Sequence, residues 1–214
     1  MNFSTLPKTI SKYCKEISNF ELTRLRLLDA DSSVMLLTSL IVGICSGVGA
    51  VLFRHLIDWL QNLAYQDISG LMKEYYPLHL ILIPAIGGAF VGPLVYYFAR
   101  EAKGHGVPEV MESLELRGGR IRPRVVIVKS LASSICIASG GSVGREGPIA
   151  QIGSALGSVV GQVLKLSEDR VRTLVACGAA GGIAATFNAP IAGAVFALEV
   201  LLRRFGSVYF GAVV

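Results

Sequence analysis

The run Gly140-Gly141-Ser142-Val143-Gly144-Arg145-Glu146-Gly147-Pro148 separates two long apolar segments, and a plain lipid-facing helix has no use for so many glycines beside an arginine and a glutamate. Glycines free backbone N–H groups to point at a ligand, and Pro148 suits the first turn of a helix, which the spacing predicts over residues 149 to 164. A helix start at membrane depth carries unsatisfied N–H groups and a partial positive charge, and so suits an anion. Irregular backbone at that depth is tolerated only where protein or a water-filled cavity surrounds it. Glu146 is then itself an anion beside the site: ionised it competes for the place, protonated it does not. The alternative is that Glu146 pairs with Arg145 or a distant base and only holds the loop, although ionisable groups in a membrane are usually functional.

Composition sets the environment. The chain is 52% hydrophobic and 16% charged, with 24 glycines in 214 residues, against roughly 25% charged in soluble domains, and its apolar stretches approach the roughly 20 residues that cross a bilayer. The expected class is an all-α, multi-pass integral membrane protein. The net charge of +5 reads as loop charge that sets orientation, and no nucleic-acid motif accompanies it. Lys8, Lys12, Lys15, Arg24 and Arg26 precede the first apolar run without the short apolar core and cleavage site of a signal peptide, so the N-terminus is expected on the cytoplasmic side. Residues 1–31 are expected to form a cytoplasmic helical segment, with Phe20, Leu22, Leu25 and Leu28 facing the membrane surface, and residues 32–214 the transmembrane domain. Cys14, Cys45, Cys136 and Cys177 lack metal spacing and read as small core residues, with no metal site and no cofactor expected.

In chain order, residues 33 to 64 predict a first membrane helix with Gly43, Gly47 and Gly49 at spacings that admit a second helix, and Arg54, His55 and Asp58 near its wet end. Residues 78 to 99 predict a second, with close approach at Gly88 and Gly92. Arg100, Lys103, Arg117, Arg120, Arg122 and Arg124 then place a loop on the cytoplasmic side. Inside it, Gly104-His105-Gly106-Val107-Pro108-Glu109-Val110 predicts a second glycine-flanked helix start, too short to span and able to present N–H groups inside the bundle. A third apolar run, 122 to 139, contains Lys129, which either snorkels or lines the ion's cytoplasmic approach. Gly153, Gly157 and Gly161, and then Gly178, Gly181 and Gly182, predict two tightly packed interior helices. Asn188 is expected to N-cap a further helix with Pro190 in its first turn, running through Gly193 to Leu202.

An enzyme reading fails on its partners. Gly140-Gly141-Ser142-Val143-Gly144 fits the G-x-S-x-G elbow of a hydrolase, but residues 124 to 139 read as helix where a strand is needed, and His55, His79 and His105 all precede the serine. A phosphate loop would want a lysine that the glycine run lacks.

Three stretches together resemble the CLC family of voltage-gated chloride channels and chloride/proton exchangers: Gly104-His105-Gly106-Val107-Pro108-Glu109, Gly144-Arg145-Glu146-Gly147-Pro148, and Phe187-Asn188-Ala189-Pro190-Ile191-Ala192-Gly193. The resemblance implies the first half of an inverted-topology repeat with broken and re-entrant helices whose N-termini meet near mid-bilayer. It implies chloride as the transported ion, a homodimer in a lipid bilayer, and the plasma or inner membrane of a prokaryote. It also implies a second half, absent from this chain, that completes the pathway; a non-conducting half-transporter is the alternative. By position Glu146 matches the gating glutamate, and Gly104, His105, Gly106, Val107, Pro108, Gly144, Arg145, Gly147 and Pro148 match the anion-binding segments. His105 departs from a serine common in chloride-selective members; either its imidazole donates to the anion, with added pH sensitivity, or it faces water and the backbone does the binding. Val200 stands where exchangers carry a proton-relaying acid, which argues for passive conduction over exchange, with Glu199 as the alternative carrier if the helix turns by about 100°.

Overall fold

The computed structural model describes residues 8–68, 79–98, 104–203 and 211–214, and side chains over 33–65, 80–98, 104–203 and 211–214. The chain divides into two compact units, Met1–Leu37 and Thr38–Val214. In the first the backbone is helical from Lys8; the proposed apolar face at Phe20, Leu22, Leu25 and Leu28 lies outside the described side chains. The loop residues Arg100 and Lys103 and the side chain of His79 lie outside them as well.

Every element is helical, with no strand among the described residues: α1 Lys8–Asn62, continued as a π-helical turn over Leu63–Ile68, then α2 His79–Phe98, α3 Val107–Leu116, α4 Arg124–Ala138, α5 Glu146–Val163, α6 Glu168–Phe187 and α7 Pro190–Phe196, followed by a second π-helical turn over Ala197–Leu202. Among these residues two stretches are long and apolar enough to cross a membrane, Ser33–Tyr65 and Leu80–Phe98. Their outward side chains are large and apolar: Leu40, Ile44, Val48 and Leu52 on α1, and Ile81, Phe90 and Tyr97 on α2 are exposed. In water such a surface would be a liability, whereas hydrocarbon leaves it without penalty. The expected polytopic, all-helical fold with broken helices is therefore observed.

The interior is built on small residues. A Cβ on Gly153 would run into the carbonyl oxygen of Gly178, one on Gly157 into that of Leu174, and one on Gly161 would sit 3.0 Å from Val171 Cγ2, so α5 and α6 pack backbone against backbone along the predicted repeat. Gly181 brings α6 against α1, where its Cβ would lie 3.0 Å from the carbonyl oxygen of Gly43. Ile149 and Ile152 of α5 close a cluster with Ala50, Phe53 and Ile57 of α1, and Ile183 of α6 packs against it.

Three expectations change. Gly88 and Gly92 face open space; Gly87 makes the close approach instead, against the Ser139 side chain at the end of α4. One residue's rotation separates the two choices, and an apolar helix with lipid on one side offers no polar marker for its packed face. Asn188 does not N-cap α7. It ends α6 in the left-handed conformation (φ 54°), and Ala189 precedes Pro190, so the asparagine serves the helix before it. Cys45 is exposed on α1, not buried, while Cys177 is buried in α6.

Candidate functional site

The glycine run leaves α4 through Gly140, whose φ of 93° suits only glycine and whose Cβ would lie 2.6 Å from the Tyr65 hydroxyl oxygen. That hydroxyl donates to the Ser139 carbonyl at 3.2 Å and pins the end of α4. At its near end the loop is held by Gly140 N–H to Ile137 O (3.1 Å), Gly141 N–H to Cys136 O (2.9 Å) and Val143 N–H to Gly141 O (2.8 Å). Helix α5 opens at Glu146 without a side-chain cap, and its first bond runs from Ile149 N–H to Arg145 O at 3.1 Å. The N–H groups of Glu146 and Gly147 therefore meet no acceptor among the described residues, and Pro148 has none to offer.

Glu146 is exposed, and its carboxylate folds back over Gly144, where a Cβ would collide with Oε2. The carboxylate forms no hydrogen bond or ion pair with any described residue, and neither does the Arg145 guanidinium. Of the two pairings that a merely structural glutamate could use, the one with Arg145 is not made. A free carboxylate at a helix N-terminus is favoured there by about 0.3–1 kcal/mol, weak enough for the side chain to leave.

The second glycine loop starts α3 differently. Gly106, buried with φ 97°, is the N-cap, and its N–H donates to Glu109 Oε2 at 2.7 Å, so the helix's own third residue occupies one of its free donors. The same carboxylate lies against Gly104. From α4, Lys129, 3% exposed, reaches the same glycine: its Nζ donates to Gly104 O at 2.6 Å. Lys129 is thus buried against the loop before α3, which it holds, with Glu109 close enough to feel its charge. The lysine was visible in the sequence as a break in an apolar run, and Glu109 as the acid at the third position of a helix, but neither signal tells which loop they fasten.

The two helix starts touch. A Cβ on Gly147 would run into the carbonyl oxygen of His105, and one on Gly106 into that of Gly147, so the segments 104–106 and 144–147 meet backbone to backbone. Gly106 and Pro148 are buried, Val107 and Gly147 half-buried, and Gly104, His105, Pro108, Gly144 and Arg145 exposed around them. The His105 imidazole bonds to no described residue. The result is one patch of backbone bearing the free amides of Val107, Glu146 and Gly147, with one unattached carboxylate beside it. Such an arrangement can hold a small anion by N–H donation and expel it by charge. In the third stretch, Gly193 seats α7 on Ala180 and Ala184 of α6; further on, Glu199 is exposed and Val200 half-buried in the π-helical turn. Before Ser142 stands helix α4, not the strand a nucleophile elbow requires.

Residues 87–214 match the family model described as "Voltage gated chloride channel". The chain is 34% identical over 174 residues to a putative chloride channel protein, ClcB-like, of Ralstonia nicotianae, which covers 78% of this chain and 41% of that protein. It is 35% identical over 192 residues to the H(+)/Cl(-) exchange transporter ClcA of Klebsiella pneumoniae, covering 84% and 39%. Among solved structures it resembles a slow cyanobacterial Cl-/H+ antiporter (TM-score 0.70, 27% identity, 84% of this chain and 43% of that one) and a CLC-type fluoride/proton antiporter (TM-score 0.62, 26% identity, 85% and 45%). The chain thus spans about two fifths of the length of the curated relatives it matches.

Proposed function

The chain belongs to the voltage-gated chloride channel family, and from that membership we propose that it serves to move chloride, or a similar small anion, across a membrane along a path gated by Glu146. The observation that carries this reading is the contact of His105 and Gly106 with Gly147, which brings two helix starts and one free carboxylate to a single place. An anion resting on the amides of Val107, Glu146 and Gly147 meets the ionised carboxylate as a like charge. At about 4 Å and an intermediate dielectric the repulsion is about 4 kcal/mol, enough to make the two occupants mutually exclusive. Protonating or swinging away Glu146 opens the site, so flux rises as pH falls. Gly104, Pro108, Gly144 and Arg145 shape the mouth of the patch, and the His105 imidazole faces the solution that the anion comes from.

Coupling to protons has two readings. Relatives named as H(+)/Cl(-) exchange transporters favour exchange, and the π-helical turn over Ala197–Leu202 shifts the register at Glu199, the only acid in that turn. Val200 favours passive conduction, since valine carries no proton. The chain sits in a bilayer, by this reading the inner membrane of a prokaryote, with the N-terminus and the arginine-rich loop on the cytoplasmic side, and works as a homodimer whose pathway is completed by residues corresponding to the rest of its relatives' length. Liposomes holding the 214-residue chain, alone and together with such a second half, test this. Anion efflux that needs the second half is expected; efflux insensitive to Glu146→Gln in every preparation contradicts the reading. Proton uptake driven by a chloride gradient selects exchange, and its absence during chloride efflux selects conduction.

A further inference from the structure

Away from the gated patch, the end of α3 and the loop joining it to α4 form, with Gln162 of α5 and the first turns of α6, an open cleft of about 740 Å³. Arg117, Arg120, Arg122 and Arg172 line it against Glu115 and Glu168. The cleft is built, not incidental. Gly118 and Gly119 take left-handed conformations (φ 59° and 77°), and a Cβ on Gly119 would lie 3.3 Å from the Arg172 backbone, so the loop sits directly on α6. The fully buried Ser158 hydroxyl of α5 donates to Gly119 O at 2.6 Å and accepts from Ile121 N–H at 2.8 Å, and Gln162 Nε2 donates to Ile121 O at 2.9 Å. These bonds fix the arginine-bearing backbone before any ligand arrives.

Two of the charges inside are not used up. Arg117 already meets Glu112 at 3.3 Å on the exposed rim. The side chains of Arg120 and Arg172, by contrast, make no hydrogen bond or ion pair with a described residue, and Arg172 Nε is buried without an acceptor. A buried guanidinium N–H left unmade is costly, and such a group normally has a partner that completes it. We propose that this cleft is a second anion site, distinct from the gated one, that binds a multiply charged phosphate group, either the headgroup of an anionic lipid or a soluble phosphate compound. Planar guanidinium forks carried on two different elements around one cleft suit the several oxygens of a phosphate, whereas a lone chloride would use one donor direction and leave the rest idle. The volume also fits a small molecule or headgroup better than a bare halide.

The test uses the whole chain in detergent and in liposomes. Pyrophosphate in solution, or phosphatidic acid in phosphatidylcholine vesicles, is expected to protect Arg120 and Arg172 of the unaltered protein from phenylglyoxal modification, read residue by residue by mass spectrometry. Protection by pyrophosphate identifies a soluble ligand, and protection by phosphatidic acid alone identifies a headgroup. Arg172→Gln and Arg120→Gln should each weaken pyrophosphate or phosphatidic acid binding by about tenfold, Arg172→Lys should recover only part of it, and Lys165→Gln, outside the cleft, should change nothing. Equal modification of both arginines with and without either phosphate source, or protection confined to other arginines, overturns the proposal, and that result requires no variant to fold.

Discussion

The carbonyl oxygen of His105 lies so close to the α-carbon of Gly147 that no side chain fits between them. That contact joins two segments 42 positions apart in the chain, and the whole candidate site depends on it. Gly147→Ala should lower stability by about 1–3 kcal/mol through overpacking, more than the gain of about 1 kcal/mol that alanine brings to a helix. Gly88→Ala, where a Cβ meets open space, should be neutral or stabilising. Thermal unfolding of the two variants in the same detergent measures the contrast, and equal shifts would mean that the helix starts do not touch.

The pairing of α5 with α6 supplies a second test. Since a Cβ on Gly157 would overlap the Leu174 carbonyl, Gly157→Val should push the helices apart and lose about 3 kcal/mol or more, combining overpacking with a β-branched residue in a helix. Gly43→Ala, whose own Cβ meets nothing within 4 Å, should fall within about 1 kcal/mol of the parent. Unfolding followed by circular dichroism reads both.

Lys129 and Glu109 both fasten the loop around Gly104. Lys129→Met breaks a charged hydrogen bond to Gly104 O and should destabilise the protein by about 1.5–3 kcal/mol. If the two charges support each other around that glycine, adding Glu109→Gln to Lys129→Met costs less than the sum of the single changes, and the double-mutant cycle gives a coupling above about 0.5 kcal/mol. Strict additivity would show that the lysine acts on the carbonyl alone.

How far these relationships were legible in the sequence varies with the physics. The glycine repeat at 153, 157 and 161 was readable because backbone contact admits only glycine, and the structure uses all three against α6. The two helix starts were readable from glycine and proline placed where N–H groups go unpaired, although α5 opens at Glu146, three residues before the expected 149. Orientation about a helix axis was not: Gly87 rather than Gly88 makes the contact of α2, because an apolar face toward lipid and an apolar face toward protein look alike in one dimension. Asn188 was ambiguous for a related reason. Asparagine both N-caps helices and tolerates the left-handed turn that ends them, and only the backbone angle of 54° decides between the two. The bond from Lys129 to Gly104 spans 25 positions, and no local pattern encodes it.

The central claim is that one carboxylate competes with an anion for the free amides at the start of α5. Glu146→Gln keeps the size of the side chain and removes its charge, so the most direct measurement is anion efflux from liposomes against pH for the parent and this variant, with whatever second half supports flux present in both. The account predicts parent flux that climbs as pH falls and variant flux that is high and nearly flat across the same range. A variant that keeps the parent's pH dependence would contradict it.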